Sequence, residues 1–146
     1  MSVKDELVMD EDERCAEFHA LLHRLDREQM ERVGYTETWS VKDLLGHLGS
    51  WFAEASRVLE QIRMGTHVRQ KLDIGANNAH YYEIWKDVEL DVVRAEWWSA
   101  HNRMLEEWGR LEAPNRLAQE WFRESGPAHH DEHLPRMREW VQEVSP

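Results

Sequence analysis

The sequence predicts an all-α protein, a four-helix bundle whose last helix is kinked. Three observations carry that prediction. Apolar residues recur at spacings of three and four along most of the chain, which is the period of one helix face. Glycine (7) and proline (4) are scarce among 146 residues, which argues against the turn-rich pattern of an all-β fold. Charged residues make up 32% of the chain, as long amphipathic helices require, and eight tryptophans offset a hydrophobic fraction of 41%. This length suits one domain around one core, spanning residues 1–146.

The first helix is expected over roughly residues 5–30, on the stripe Phe18, Leu21, Leu22 and Leu25, with Gly34 as a stop signal. The second starts at Ser40, a good N-cap, with Asp43 three residues on in the manner of a capping box. Its stripe runs Leu44, Leu48, Trp51, Phe52, Ala55, Leu59 and Ile62, and it ends near Met64–Gly65. Residues 65–77 read as a connection. A third helical region spans roughly 78–111, with Asp87 as a point where it breaks and a fresh segment is capped. Leu90, Val93, Trp97, Met104, Trp108 and Leu111 share its inner face. Residues 112–120 read as a loop opened by Ala113–Pro114. The last helix begins at Gly126–Pro127, since proline suits the first helical position. Its stripe is Met137, Trp140 and Val144, and Pro135 inside it frees the carbonyl of Asp131 and kinks it.

Charge narrows the partners. Eighteen basic and 29 acidic residues leave a net charge of −11, which repels phosphate backbones and anionic membranes. No basic patch interleaved with aromatics is present, so no nucleic-acid partner is expected. The one cysteine, Cys15, lies in a helical pattern and reads as a small buried hydrophobe. No apolar run follows a basic start, and none approaches the roughly 20 residues of a membrane span. A cytoplasmic protein acting on a small molecule is the expectation.

The nine histidines sort by helical phase. In HHDEH, at 129–133, His129 and His133 are four apart and stack on the face that continues into Met137, Trp140 and Val144. His130 is rotated by about 100° and points elsewhere. An i, i+4 pair converges as a metal requires, and a third ligand must come from another helix. His47 is placed for that, at the edge of the second helix's stripe, with Gly46 and Gly49 leaving room for close helix approach. His19 and His23 are also four apart but lie off their stripe and read as solvated. His101 falls on the Trp97/Met104/Trp108 face, as a hydrogen-bonded core histidine or a residue at the site. Spacing alone leaves two readings open. Three neutral imidazoles make an open site for zinc, nickel or a similar ion; equally, they can be partly buried rings satisfied by neighbours.

Two segments carry a resemblance. WSVKDLLGHLGSWFAEA, at 39–55, resembles the second helix of the DinB-like superfamily. HHDEHLPRMREW, at 129–140, is similar to the C-terminal histidine–proline–tryptophan pattern of its ClbS/DfsB branch, matched at His129, Glu132, His133, Pro135 and Trp140. The resemblance implies a DinB-like four-helix bundle in which His47, His129 and His133 hold a divalent metal. It also implies a metal-dependent small-molecule hydrolase, in which the metal activates water or a thiol against an electrophile. The alternative within the same superfamily is an S-transferase or isomerase that uses a low-molecular-weight thiol. From other classes come a binding protein that sequesters a toxic small molecule and a structural bundle that forms a homodimer through exposed aromatics. Glu54, two turns beyond His47, and Glu132 are candidates for a general base or a partner to the ligands. Trp51, Trp97, His101 and Trp140 are candidates for lining a pocket beside the metal.

Overall fold

In the computed structural model, residues 1–145 are described, and they form seven helices. The four long ones are those of the expected bundle: α1 (Val3–His23), α3 (Val41–Met64), α5 (Leu90–Arg110) and α7 (Pro127–Val144). Three shorter helices lie between them: α2 (Arg27–Glu31), α4 (Ile74–Trp85) and α6 (Arg116–Ser125). The chain is all-α, as expected, and no strand is present among the described residues.

The capping chemistry places these boundaries. The Ser40 side chain accepts a hydrogen bond from the Asp43 N–H, and the Asp43 carboxylate accepts one from the Ser40 N–H. This reciprocal box satisfies two of the four orphan donors at the start of α3. Gly65 ends α3 in the left-handed region at φ 72°, where a side chain would be strained.

Several boundaries differ from the sequence expectation, each for a local reason. The first helix stops at His23 rather than near residue 30, because Asp26 starts α2 with its own capping box to Gln29. The third region is two helices. α4 ends at Trp85, and α5 restarts after Glu89, which contributes no side-chain cap. The expected cap at Asp87 is therefore two residues early. The expected loop at 112–120 gives way to α6, since Asn115 accepts from the Ala118 N–H and caps a helix there.

α3 is the central element. Its buried face runs from Val41 to Leu59 and packs against α5, α6, α4 and α2. α7 packs chiefly against α1. Two glycines allow the closest approaches to α3. A Cβ on Gly46 would meet the Trp85 Cβ of α4 at 2.9 Å, and one on Gly49 would meet the Trp97 Cα of α5 at 2.9 Å. α4 has no buried residue and lies on the outside of α3, held by hydrogen bonds from Trp85 Nε1 to Ser50 and from Trp51 Nε1 to Asn78. Among the described residues no helix is long and apolar enough to cross a membrane.

Paired substitutions test the close approach. Gly49→Ala forces α5 away from α3. The expected overpacking cost of about 1–3 kcal/mol exceeds the helix-propensity gain of about 1 kcal/mol. Gly109→Ala has nothing within 4 Å of the new methyl and keeps the gain alone. Thermal denaturation should show the first melting below the wild type and the second at or above it.

Candidate metal centre

His47 comes from the second turn of α3, and His129 and His133 from successive turns of α7. Their nitrogens converge: one ligand atom from each lies within 4.8 Å of the others. His47 Nε2 and His129 Nε2 are 2.9 Å apart. The third ring stands close to both, with centroids 5.3 Å from His47 and 5.0 Å from His129. His47 and His129 are each 8% exposed, and His133 is half-buried.

Burial keeps these rings neutral. Desolvation, with a smaller contribution from His133, pushes His47 down to about 4. Desolvation, with a smaller contribution from His130, pushes His133 down to about 4. His129 is also lowered, first by desolvation and then by the facing His47 and His133. Each ring therefore offers a lone pair at neutral pH, the form in which imidazole binds a metal.

The arrangement fits a divalent ion on two observations. His133 Nε2 is buried with no hydrogen-bond partner. His47 Nε2 and His129 Nε2 stand 2.9 Å apart, and one ligand nitrogen from each of the three rings lies within 4.8 Å of the others. A cation between the rings would give His133 Nε2 the partner it lacks.

Tyr35 orients the third ring. Its hydroxyl lies 3.0 Å from His133 Nδ1 and 3.5 Å from the His133 carbonyl oxygen. With the proton on Nδ1, the ring donates to Tyr35 Oη and the phenol donates onward to the carbonyl, leaving Nε2 as the free acceptor. Burial raises the Tyr35 pKa, so the hydroxyl keeps its proton. Partners of this kind fix the tautomer and direction of a metal-binding histidine. His47 Nδ1 has no such partner, and the Trp39 ring packs beside it at 5.1 Å between centroids.

His47 and His129 line a cavity of about 1070 Å³, at the upper end of the size range of small-molecule sites, with His133 behind them. Its walls come from α3, the 65–73 connection, α4, α6 and the start of α7. Trp51, Glu54 and Glu132 line it, as their candidate roles require. Glu54 is ion-paired with Arg57, whereas Glu132 forms no ion pair among the described residues.

Three other candidates lie elsewhere. Trp97 is 2% exposed and packs on Phe18 and Gly49 in the core. Trp140 is buried with its ring over Gly34 and its Nε1–H donating to the Gln29 carbonyl. His101 hydrogen-bonds Glu11 inside the bundle. None of the three lines the cavity. Their helical phase was inward, but the inward face of a bundle is mostly core. His19, expected in solvent, is half-buried against Trp97 and Trp98. His67, in the 65–73 connection, and His80, on α4, also line the cavity.

Fold and centre define a helical bundle with a metal-ready three-histidine cluster beneath an open cavity. Comparison with known proteins then identifies the family. The family model described as the mycothiol maleylpyruvate isomerase N-terminal domain matches residues 12–144. The chain belongs to this family, and with it to the DinB-like superfamily. A crystal structure of an uncharacterised protein from Escherichia coli UTI89 has the same fold. It is 16% identical, with a TM-score of 0.78 over 96% of this chain and 93% of that one. No curated protein matches the chain.

Tyr35→Phe deletes one oxygen and leaves the ring packing. Competition titration with a chelator should show zinc affinity about 10–100-fold lower than wild type, the usual effect of removing a partner that orients a ligand. Unchanged affinity would show that the phenol does not set the His133 ring.

Proposed function

We propose that this protein is a metal-dependent enzyme that delivers a low-molecular-weight thiol to an electrophilic small molecule, as a thiol-dependent isomerase or S-transferase. The observation that carries the proposal is the convergence of three neutral imidazoles, two of which line an open cavity. The family description, which names a mycothiol-linked isomerase, favours a thiol over water as the nucleophile.

Zinc and nickel both suit an imidazole site. A bound ion of either kind supplies Lewis acidity, which lowers the pKa of a thiol or water beside it and polarises an electrophile. The chain's own residues do the rest. His47, His129 and His133 hold the ion on two separate helices, and Tyr35 keeps His133 in the correct tautomer. Glu132, at the cavity wall and free of an ion pair, is the carboxylate assigned to take the thiol proton. Glu54, held by Arg57, shapes the wall instead. Trp51 supplies an apolar face, standing edge-on to Tyr81 at 5.4 Å between centroids.

The test is turnover of reactive electrophiles by zinc- or nickel-loaded protein, with and without added thiols. The proposal expects turnover that requires a thiol and disappears in His133→Ala. Turnover without thiol would instead support hydrolysis, the activity implied by resemblance to the ClbS/DfsB branch. Stoichiometric binding without turnover would indicate a sequestering protein.

A further inference from the structure

We infer that Glu11 is a positioning residue for the three-histidine cluster: it sets the rotation of α7 and so the directions in which His129 and His133 project. The inference rests on the metal-centre reading above. Glu11 lies one residue before the segment matched by the family model, and it does not line the cavity.

Glu11 sits on the inner face of α1 at 0% exposure, between Leu7 and Cys15 in an otherwise apolar stripe. Its two oxygens have separate partners. His130 Nδ1 of α7 donates to Oε1 at 2.8 Å, and His101 Nε2 of α5 donates to Oε2 at 2.7 Å. Burial alone would raise the Glu11 pKa, but the hydrogen bonds from the two rings outweigh it and the net shift is downward. The carboxylate is therefore a buried anion that accepts from both rings, and it ties three helices together.

The clamp on His130 reaches the metal centre through helix geometry. His130 follows His129 by one residue, about 100° around the helix, and precedes His133 by three, about 60° around it. All three side chains leave one rigid stretch of α7. A rotation that moved His130 off the carboxylate would swing both metal ligands. The other α1–α7 pairs, Arg14–Asp131 at 2.7 Å and Arg138–Glu17 at 2.5 Å, have partly or largely exposed partners. Pairs of that kind contribute little.

A second observation places Glu11 under the start of α7. Gly126 is the residue on which α6 ends and α7 begins. A Cβ there would meet the Phe122 carbonyl oxygen at 2.9 Å and Glu11 Oε1 at 3.3 Å. The carboxylate thus touches both the junction three residues before His129 and the ring one residue after it. It supports the turn that carries this ligand from both sides.

The test pairs two readouts: zinc affinity by chelator competition, and long-range proton–nitrogen spectra of the His129 and His133 rings in metal-free protein. For Glu11→Gln the expected result is a helical protein with zinc affinity about 10–100-fold weaker and shifted or split ring signals. Glu11→Asp keeps the charge with a shorter reach and should lose less; it decides the matter if the glutamine variant does not fold. Glu17→Gln, which breaks only an exposed pair, should match wild type. A lower melting temperature with wild-type affinity and unmoved ring signals in the Glu11 variants would overturn the inference, leaving Glu11 a structural residue. Absence of zinc binding in the wild type would sink the metal reading separately, and the metal-free ring signals would still decide whether Glu11 sets the rings.

Discussion

Two helices separated by most of the chain must lie close enough for His47 Nε2 and His129 Nε2 to come within 2.9 Å. The rest of the structure serves that approach. Three imidazoles in a largely buried site cannot all be charged, because desolvation and mutual repulsion oppose protonation. Nor can all of their nitrogens find partners within the protein. Such a cluster lowers stability unless something else occupies it. Its presence at the base of a cavity is understandable as a site organised for a cation.

The surrounding helices divide the work. α3 presents His47 on its buried face, with glycines on the flanks against which α4 and α5 close in. α1 and α5 meet α7 through the Glu11 carboxylate, on the side of α7 away from the cavity. α4 and α6 form walls. With no buried residue and few polar ties, α4 is the least anchored of these elements.

Much of this was legible in the sequence where local chemistry is periodic or positional. Ser40 with Asp43 marked the start of α3, and Pro127 marked the start of α7. The spacing of His129 and His133 placed both rings on one face. The pairing with His47 came from its place at the edge of a glycine-flanked stripe and from family resemblance. Other features carried no such signal. Tyr35 lies in a connection without periodicity, so its place behind His133 emerges only in three dimensions. Asn115 is an ordinary N-cap, obscured by the Ala113–Pro114 turn before it. Phase showed that Trp97, Trp140 and His101 face inward, but not whether they meet core or cavity. Glu11 is the instructive omission. An acid four residues from Leu7 and four from Cys15 interrupts an apolar stripe, and it marks a buried partner waiting on another helix. Its partners are His101 and His130, the latter rotated away from the metal pair as its phase indicated.

The central claim is that His47, His129 and His133 form one metal site. X-ray absorption at the metal edge, together with elemental analysis of protein purified without added metal or a histidine tag, tests it most directly. The account predicts about one transition-metal ion per chain, coordinated by three imidazole nitrogens at about 2.0–2.1 Å if the ion is zinc, and lost in His133→Ala. Protein that stays metal-free even when zinc or nickel is supplied, or an ion retained in His133→Ala, would contradict it.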